Sequence, residues 1–344
     1  MRAVVDLRSD TLTKPTPAMH AAMAAAEVGD EQLREDPTVN ALQERAARLL
    51  GHEAALFLPT ATMANQIALR VLTRRGGELI AEERTHVLVY ESGGAALNSG
   101  LITRGLPGIA GRLTPEQLDD AVAAADVPLQ PVELVVLEQT HRSSGGRVWP
   151  LDDLAAVAAR AREHGLAVHL DGARLFNASV ASGIPAAEYG RLADTVTVCF
   201  SKGLGCPLGA VLAGPAETIE RAWVEKFRFG GAMRQAGVVA ATALHALEYH
   251  VERLAEDHAR ARRLAEHLAD AGLPVDPEAT ETNFVAIPVD DVPGSLERLA
   301  DEGVLLSDLK PGWLRAVTYL GVEDDDVEQA GTLIPRALGA LVRA

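Results

Sequence analysis

Short apolar runs alternate, over the first two thirds of the chain, with longer stretches whose apolar residues recur at helical spacing. The runs at 54–58 (AALFL), 78–81 (ELIA), 132–138 (VELVVLE), 167–171 (AVHLD), 195–200 (TVTVCF) and 210–213 (AVLA) are nearly continuous rather than alternating. Strands covered on both faces read that way, and parallel strands joined by helical crossovers are covered on both faces. Helices are predicted between them: over 61–72, from Pro115 behind a Thr114 cap, and over 151–163, stopped by Gly165. The predicted class is α/β, a mostly parallel central sheet flanked by helices.

The texture changes near residue 235. Residues 235–271 are helix-compatible almost throughout, with a break near His250. Short strands are expected at 283–287, 304–306 and 313–317, with helices between and after them. This pattern predicts a large domain over 1–240, its N-terminal segment lining the site, and a smaller C-terminal α+β domain over 241–344. No internal repeat and no disordered tail is visible.

Composition narrows the function. The 344 residues are 48% apolar, enough for a sizeable core. The net charge of −16 and a pI of about 5.1 disfavour nucleic acid and anionic membranes as partners. No apolar run is long enough to span a bilayer, and the opening MRAVVDLRSDTLTKP lacks the apolar core of a signal peptide. Cys199 and Cys206 are the only cysteines, so no disulfide framework is expected and a reducing cytoplasm fits. No spacing resembles a zinc site, and no metal is expected.

Reactive groups collect where apolar runs end: HLDGAR at 169–174, VLEQTH at 136–141 and CFSKGLG at 199–205. Open α/β sheets place their sites at such strand ends. A lone lysine there is usually a solvated strand end. Lys202, however, stands among glycines, and a lysine in a partly apolar pocket is a usable amine nucleophile toward a carbonyl cofactor. Asp171 ends an apolar strand, where a carboxylate is costly without a cationic partner. A lysine for a Schiff base and an aspartate for a protonated pyridine nitrogen are the protein's part of pyridoxal-phosphate chemistry. Pro59-Thr-Ala-Thr-Met-Ala-Asn65 precedes a predicted helix. It could be an ordinary threonine cap, or free N–H groups suited to a phosphate.

The motifs DLRSDT (6–11), EDPTVNALQ (35–43), FLPTATMANQ (57–66), HLDGARLFNA (169–178), SKGLGCPLG (201–209) and MRQAG (233–237) span nearly the whole chain. In this order they resemble the low-specificity L-threonine aldolases, pyridoxal-phosphate enzymes of the aspartate-aminotransferase-like fold type I. The resemblance implies that Lys202 holds the cofactor covalently, that Asp171 pairs with its ring nitrogen and that His86 stacks on the ring. Ala61, Thr62 and Ser201 would contact the phosphate. Ser9, Arg174 and Arg315 would grip the carboxylate of a small amino-acid substrate. Glu91 and His141 also match family positions.

The implied reaction is cleavage of L-threonine, L-allo-threonine or a related β-hydroxy-α-amino acid to glycine and an aldehyde, with His86, His141 or a water as the base. β-Elimination, racemisation and transamination share the Lys202–Asp171 pair and remain alternatives, as does a non-enzymic protein of this fold. The resemblance further implies a homotetramer, a dimer of dimers with shared active sites. The chain departs from the family pattern at Leu33, Arg34, Ala61, Pro128, Phe227 and Gln139. Leu33 and Phe227 lead us to expect a more apolar pocket that prefers bulkier or aromatic aldehydes.

Overall fold

The computed structural model describes residues 4–124 and 131–339. Its centre is a seven-stranded sheet in the order Ala54–Leu58, Ala210–Gly214, Thr195–Cys199, Ala167–Asp171, Val132–Glu138, Glu78–Glu82, Ile102–Leu106. The strands from Thr195–Cys199 to Ile102–Leu106 pair in parallel. Ala210–Gly214 runs antiparallel to both of its neighbours. The reason is chain length: a parallel return needs a crossover of about a dozen residues or more, and residues 200–209 are a tight loop. The edge strand Ile102–Leu106 was not expected from sequence. Its ITRGL run is largely exposed and carries no apolar signature.

Helices cover both faces. Ala61–Leu72 packs Ala64, Ile67, Ala68 and Val71 into one cluster at helical spacing, while Leu69 packs into another. Leu151–Glu163 ends before Gly165, whose φ of +72° suits the turn into the next strand. The expected break near His250 separates helices Gly237–Tyr249 and Leu254–Asp270. The first packs into the large core through Ala240, Ala243 and Leu247. The second packs, through Leu264 and Leu268, into a separate core with Val285, Leu314 and Ile334.

That second core also holds Val5 and Leu7. The N-terminal strand Val5–Asp6 pairs in parallel with Val304–Leu305. Beside it lies an antiparallel three-stranded sheet, Ser307–Lys310, Trp313–Val317 and Phe284–Pro288. Ser307–Lys310 was not expected, because its SDLK is mostly polar. Cys199 and Cys206 are both free and buried. Among the described residues no helix is long and apolar enough to cross a membrane.

Two of the quoted motifs meet at one carboxylate. Asp36, from EDPTVN, is buried and accepts hydrogen bonds from the N–H groups of Gly29 (3.2 Å), Val39 (3.0 Å) and Gly237 (2.8 Å). Gly237 closes MRQAG, and a Cβ there would lie 2.5 Å from Asp36 Oδ1. Replacing Gly237 by alanine should therefore lower the unfolding free energy by about 1–3 kcal/mol, the usual cost of overpacking. Urea unfolding of the two proteins measures the difference, and an unchanged midpoint would refute this account of the glycine.

Candidate active site

The lysine loop leaves strand Thr195–Cys199 and folds back on itself. Cys206 N–H donates to Phe200 O (3.1 Å), Gly205 N–H to Lys202 O (2.9 Å) and Phe200 N–H to Gly209 O (2.9 Å). Gly209 has φ +118°, and a Cβ there would lie 2.8 Å from the Phe57 ring. The turn thus needs a glycine for both conformation and space. Lys202 is left half-buried, with no side-chain hydrogen bond or ion pair among the described residues. It shares a narrow cleft with Arg174, Cys199, Gly203 and Leu204.

Gly209 N–H donates to Pro59 O (3.0 Å), which ties this loop to the start of helix Ala61–Leu72. Thr60 caps that helix by accepting from Met63 N–H (3.1 Å). Ala61 and Thr62 occupy the first turn, where N–H groups lack helical partners. Ser201 Oγ lies 3.3 Å from Cys199 Sγ. The first turn and the lysine loop together form a donor-rich corner that fits a phosphate.

Asp171 ends strand Ala167–Asp171 and is buried. It accepts from Asn65 Nδ2 (2.8 Å) and from Ala173 N–H (3.1 Å), and among the described residues no cationic side chain bonds to it. Asn65 Nδ2 also donates to Glu91 Oε1 (2.9 Å), and Gln66 Nε2 donates to Glu91 Oε2 (2.6 Å). His86 Nδ1 meets the same Glu91 Oε1 at 2.9 Å. The ligand-capable atoms of His86, Glu91 and Asp171 all lie within 4.8 Å of one another. Burial opposes a charge on His86, but Glu91, Asp171 and Glu138 outweigh it and raise the imidazole's pKa. Its side chain keeps 27% exposure, and Glu91 engages only its Nδ1. Behind Asn65 stands His169, pushed down to about 4 by burial, against the pull of Asp171.

The other wall carries the guanidinium groups. Arg174 donates through Nε (2.7 Å) and Nη2 (2.6 Å) to the two oxygens of buried Asp10. Asn283 Nδ2 adds a contact to Asp10 at 3.3 Å. Burial works against the Asp10 charge, yet Arg174 and the field of Lys202 bring its pKa to about 2. Arg315 rises from strand Trp313–Val317 and packs, like Arg174, against the Phe284 ring. The two guanidinium carbons lie 4.9 Å (Arg174) and 5.6 Å (Arg315) from that ring. Arg315 is buried, and its Nε and Nη1 have no hydrogen-bond partner among the described residues. Burial, then the charges of Arg142 and Arg174, pushes its pKa down to about 10. Ser9 Oγ accepts from Thr11 N–H (3.2 Å) and keeps its own proton to donate.

His141 is placed differently. It is buried, with Nε2 3.0 Å from Glu82 Oε2. A Cβ on Gly111 would lie 2.2 Å from its ring. Burial opposes its charge while Glu138 and Glu82 favour it, and its pKa is raised. Glu138 itself clips two turns together, accepting from His86 N–H (2.6 Å) and Arg142 N–H (2.8 Å). Gln139 is engaged with the Trp149 backbone in both directions (3.0 and 3.1 Å).

Leu33 and Phe227 lie on the surface of the chain, 64% and 43% exposed. Phe227 packs edge-on to Trp223, with Arg34 over the same indole at 4.6 Å. Lys226, beside Phe227, points inward to Glu31 and donates to Phe57 O at 2.7 Å. Pro128 lies outside the described residues. Sequence reasoning passed over Asp10, Asn65 and Phe284. The first two stand inside quoted motifs, so position alone could have flagged them.

A sequence model of the β-eliminating lyase family matches residues 6–291. The chain is 41% identical over 335 residues to a probable low-specificity L-threonine aldolase of Arabidopsis thaliana, with 94% of each chain covered. It is 39% identical over 327 residues to the low specificity L-threonine aldolase of Escherichia coli K12, covering 95% of this chain and 97% of the other. A solved structure of Leishmania major threonine aldolase superposes with a TM-score of 0.84 at 19% identity, covering 97% and 99%. With this lysine loop, this carboxylate and this span of similarity, the chain belongs to the β-eliminating lyase family, beside its low-specificity L-threonine aldolases.

Proposed function

We infer that the protein is a pyridoxal-phosphate-dependent carbon–carbon lyase. It cleaves L-threonine, L-allo-threonine or related β-hydroxy-α-amino acids to glycine and an aldehyde, acetaldehyde in the case of threonine. One observation carries the reading: three charged groups stand unbalanced among the described residues. Lys202 has no hydrogen-bond or ion-pair partner, Asp171 bonds to no cation, and buried Arg315 has no anion, while His86 feels the charges of both Lys202 and Asp171, and Arg174 lies beside Lys202 and within the field of Arg315. A carbonyl cofactor with a basic ring nitrogen answers the first two needs, and a substrate carboxylate answers the third.

Bound there, pyridoxal phosphate would supply the electron sink for the bond that breaks. Lys202 would hold it covalently, Asp171 would face its ring nitrogen, and His86 would lie on the ring face. Ala61, Thr62 and Ser201 would donate to its phosphate. Arg315 would take the substrate carboxylate in a bidentate grip, with Ser9 and the remaining edge of Arg174 beside it. That grip orients the Cα–Cβ bond for cleavage. His86 Nε2, the ring nitrogen that Glu91 leaves free, takes the β-hydroxyl proton as Cα–Cβ breaks and the aldehyde departs. Cα then regains a proton, giving glycine. Among the candidate bases, burial under Gly111 and the contact with Glu82 make His141 the poorer one.

We further assign the surface of exposed Leu33 and Phe227, with half-buried Trp223 packed against Arg34 and Phe227, to contact with a second copy, in a homotetramer whose active sites are shared. A reducing cytoplasm suits the free Cys199 and Cys206.

The purified protein with added pyridoxal phosphate should be yellow and should release aldehyde from L-threonine. Lys202→Ala should lose both the covalent colour and the activity. Pyruvate and ammonia from serine, without aldehyde from threonine, would move the function to elimination on the same residues.

The pH profile follows from His86. A base must be neutral to accept a proton, and the raised pKa keeps this imidazole protonated to a higher pH than usual. The acid limb of kcat/KM should therefore have its midpoint above about 6.5, the ordinary histidine value. His86→Asn should abolish that limb, and a limb that survives the substitution would assign the base elsewhere.

With Leu33 and Phe227 contributed by a partner copy to the aldehyde side of the pocket, phenylserine should show a higher kcat/KM than threonine. Equal efficiency on the two substrates would refute the apolar-pocket reading.

A further inference from the structure

Two buried carboxylates, Asp171 and Glu91, stand side by side under the expected cofactor ring, with ligand-capable oxygens within 4.8 Å. Like charges this close ordinarily share a proton, leaving one acid neutral. Here one amide stands between them. Asn65 Nδ2 spends one proton on Asp171 (2.8 Å) and the other on Glu91 (2.9 Å). An amide could flip and present its oxygen instead. It is held by what lies behind it: Asn65 Oδ1 meets His169 Nε2 at 3.1 Å, and His169 Nδ1 meets Thr195 Oγ1 at 2.8 Å. Since Asn65 Oδ1 only accepts, His169 must carry its proton on Nε2, and Thr195 must donate to Nδ1. A neutral His169 supplies that one tautomer, and its complete burial keeps it neutral.

We propose that Asn65 is a positioning residue that keeps Asp171 and Glu91 as two separate acceptors, one for the cofactor's ring nitrogen and one for His86, with His169 fixing which way its amide points. The proposal rests on the pyridoxal-phosphate reading and gives it a mechanism for dividing labour between two neighbouring acids. The charged and titratable groups around the pair are His86, Glu138, Lys202, His141 and His169. Among these, His86 is the only one hydrogen-bonded to Glu91, and none donates to Asp171. Without the amide, the two acids can hydrogen-bond each other through one proton. Asp171 then offers the ring nitrogen no full negative charge.

The test compares wild type, Asn65→Leu and the double variant Asn65→Leu with Glu91→Gln. Two quantities are read: the dissociation constant of pyridoxal phosphate, titrated into stripped protein, and the pH midpoint of the visible band of the loaded enzyme. Asn65→Leu should weaken cofactor binding about tenfold and raise the band's midpoint by about one unit. The rise follows because a ring nitrogen without its counter-charge loses its proton, and the lysine–cofactor linkage then protonates more easily. Adding Glu91→Gln removes the competing acid and should return both quantities toward wild type. A merely structural asparagine would not be rescued in this way.

If Asn65→Leu does not fold, judged by the melting curve of the stripped protein, His169 decides. His169→Leu should move both quantities in the same direction. His169→Gln, which keeps a donor near Nε2, should not. Wild-type values in Asn65→Leu, or no rescue by Glu91→Gln, would overturn the proposal while leaving the cofactor reading intact. A wild-type protein that does not bind pyridoxal phosphate would overturn the cofactor reading first.

Discussion

The buried ion pair between Asp10 and Arg174 is the point where three parts of the chain meet. Asp10 comes from the N-terminal segment, Arg174 from the end of a large-sheet strand, and Asn283 reaches the same carboxylate from the small sheet. Burying such a pair is costly, and it repays the cost only when the geometry is good and the remaining valences are filled. Both conditions hold here: the contact is bidentate, and Asn283 takes a further position on the oxygen. Removing either partner leaves a lone buried charge, a loss of about 3–5 kcal/mol. The pair therefore holds the small domain's Arg315 and the large sheet's Lys202 in fixed relation. Both guanidinium groups also pack against the Phe284 ring.

The contrast between the two arginines explains their different uses. Arg174 is neutralised by Asp10 and is chiefly a support. Arg315, packed against the same ring, is buried with no acid paired to it and two nitrogens unsatisfied among the described residues. Native interiors rarely leave such groups unpaired. The same asymmetry recurs on the opposite wall, where Glu91 is paired with His86 but Asp171 lacks a cation. In each case a satisfied pair stands beside a buried group left without a counter-charge among the described residues.

Legibility in the sequence followed how each feature is encoded. Fully buried strands such as Val132–Glu138 announced themselves as apolar runs, and the helix Ala61–Leu72 showed its period. The edge strand Ile102–Leu106 and the SDLK strand did not, because their stability comes from neighbours rather than from their own side chains. In the site, Lys202 and Asp171 were visible because a charge at the end of an apolar run is anomalous. Asn65 was not, because a neutral amide in a helix looks ordinary until its two acceptors, 26 and 106 residues away, are in place. Leu33 and Phe227 drew notice as departures, yet in the single chain they are surface residues around Trp223. Sequence marks the substitution but not the subunit it serves.

One constraint links the topology to the chemistry. The segment 200–209 is too short to cross the sheet, so strand Ala210–Gly214 must turn back antiparallel beside the strand it has just left. That return brings Gly209 against Pro59, next to the first turn of helix Ala61–Leu72. The same short loop thus presents Lys202 and draws the helix N-terminus to it. A crossover helix would have carried the chain away and left the lysine on one side of the sheet and the phosphate-sized corner without its second wall. The single antiparallel strand in a mostly parallel sheet is, on this argument, what puts the amine and the anion corner together.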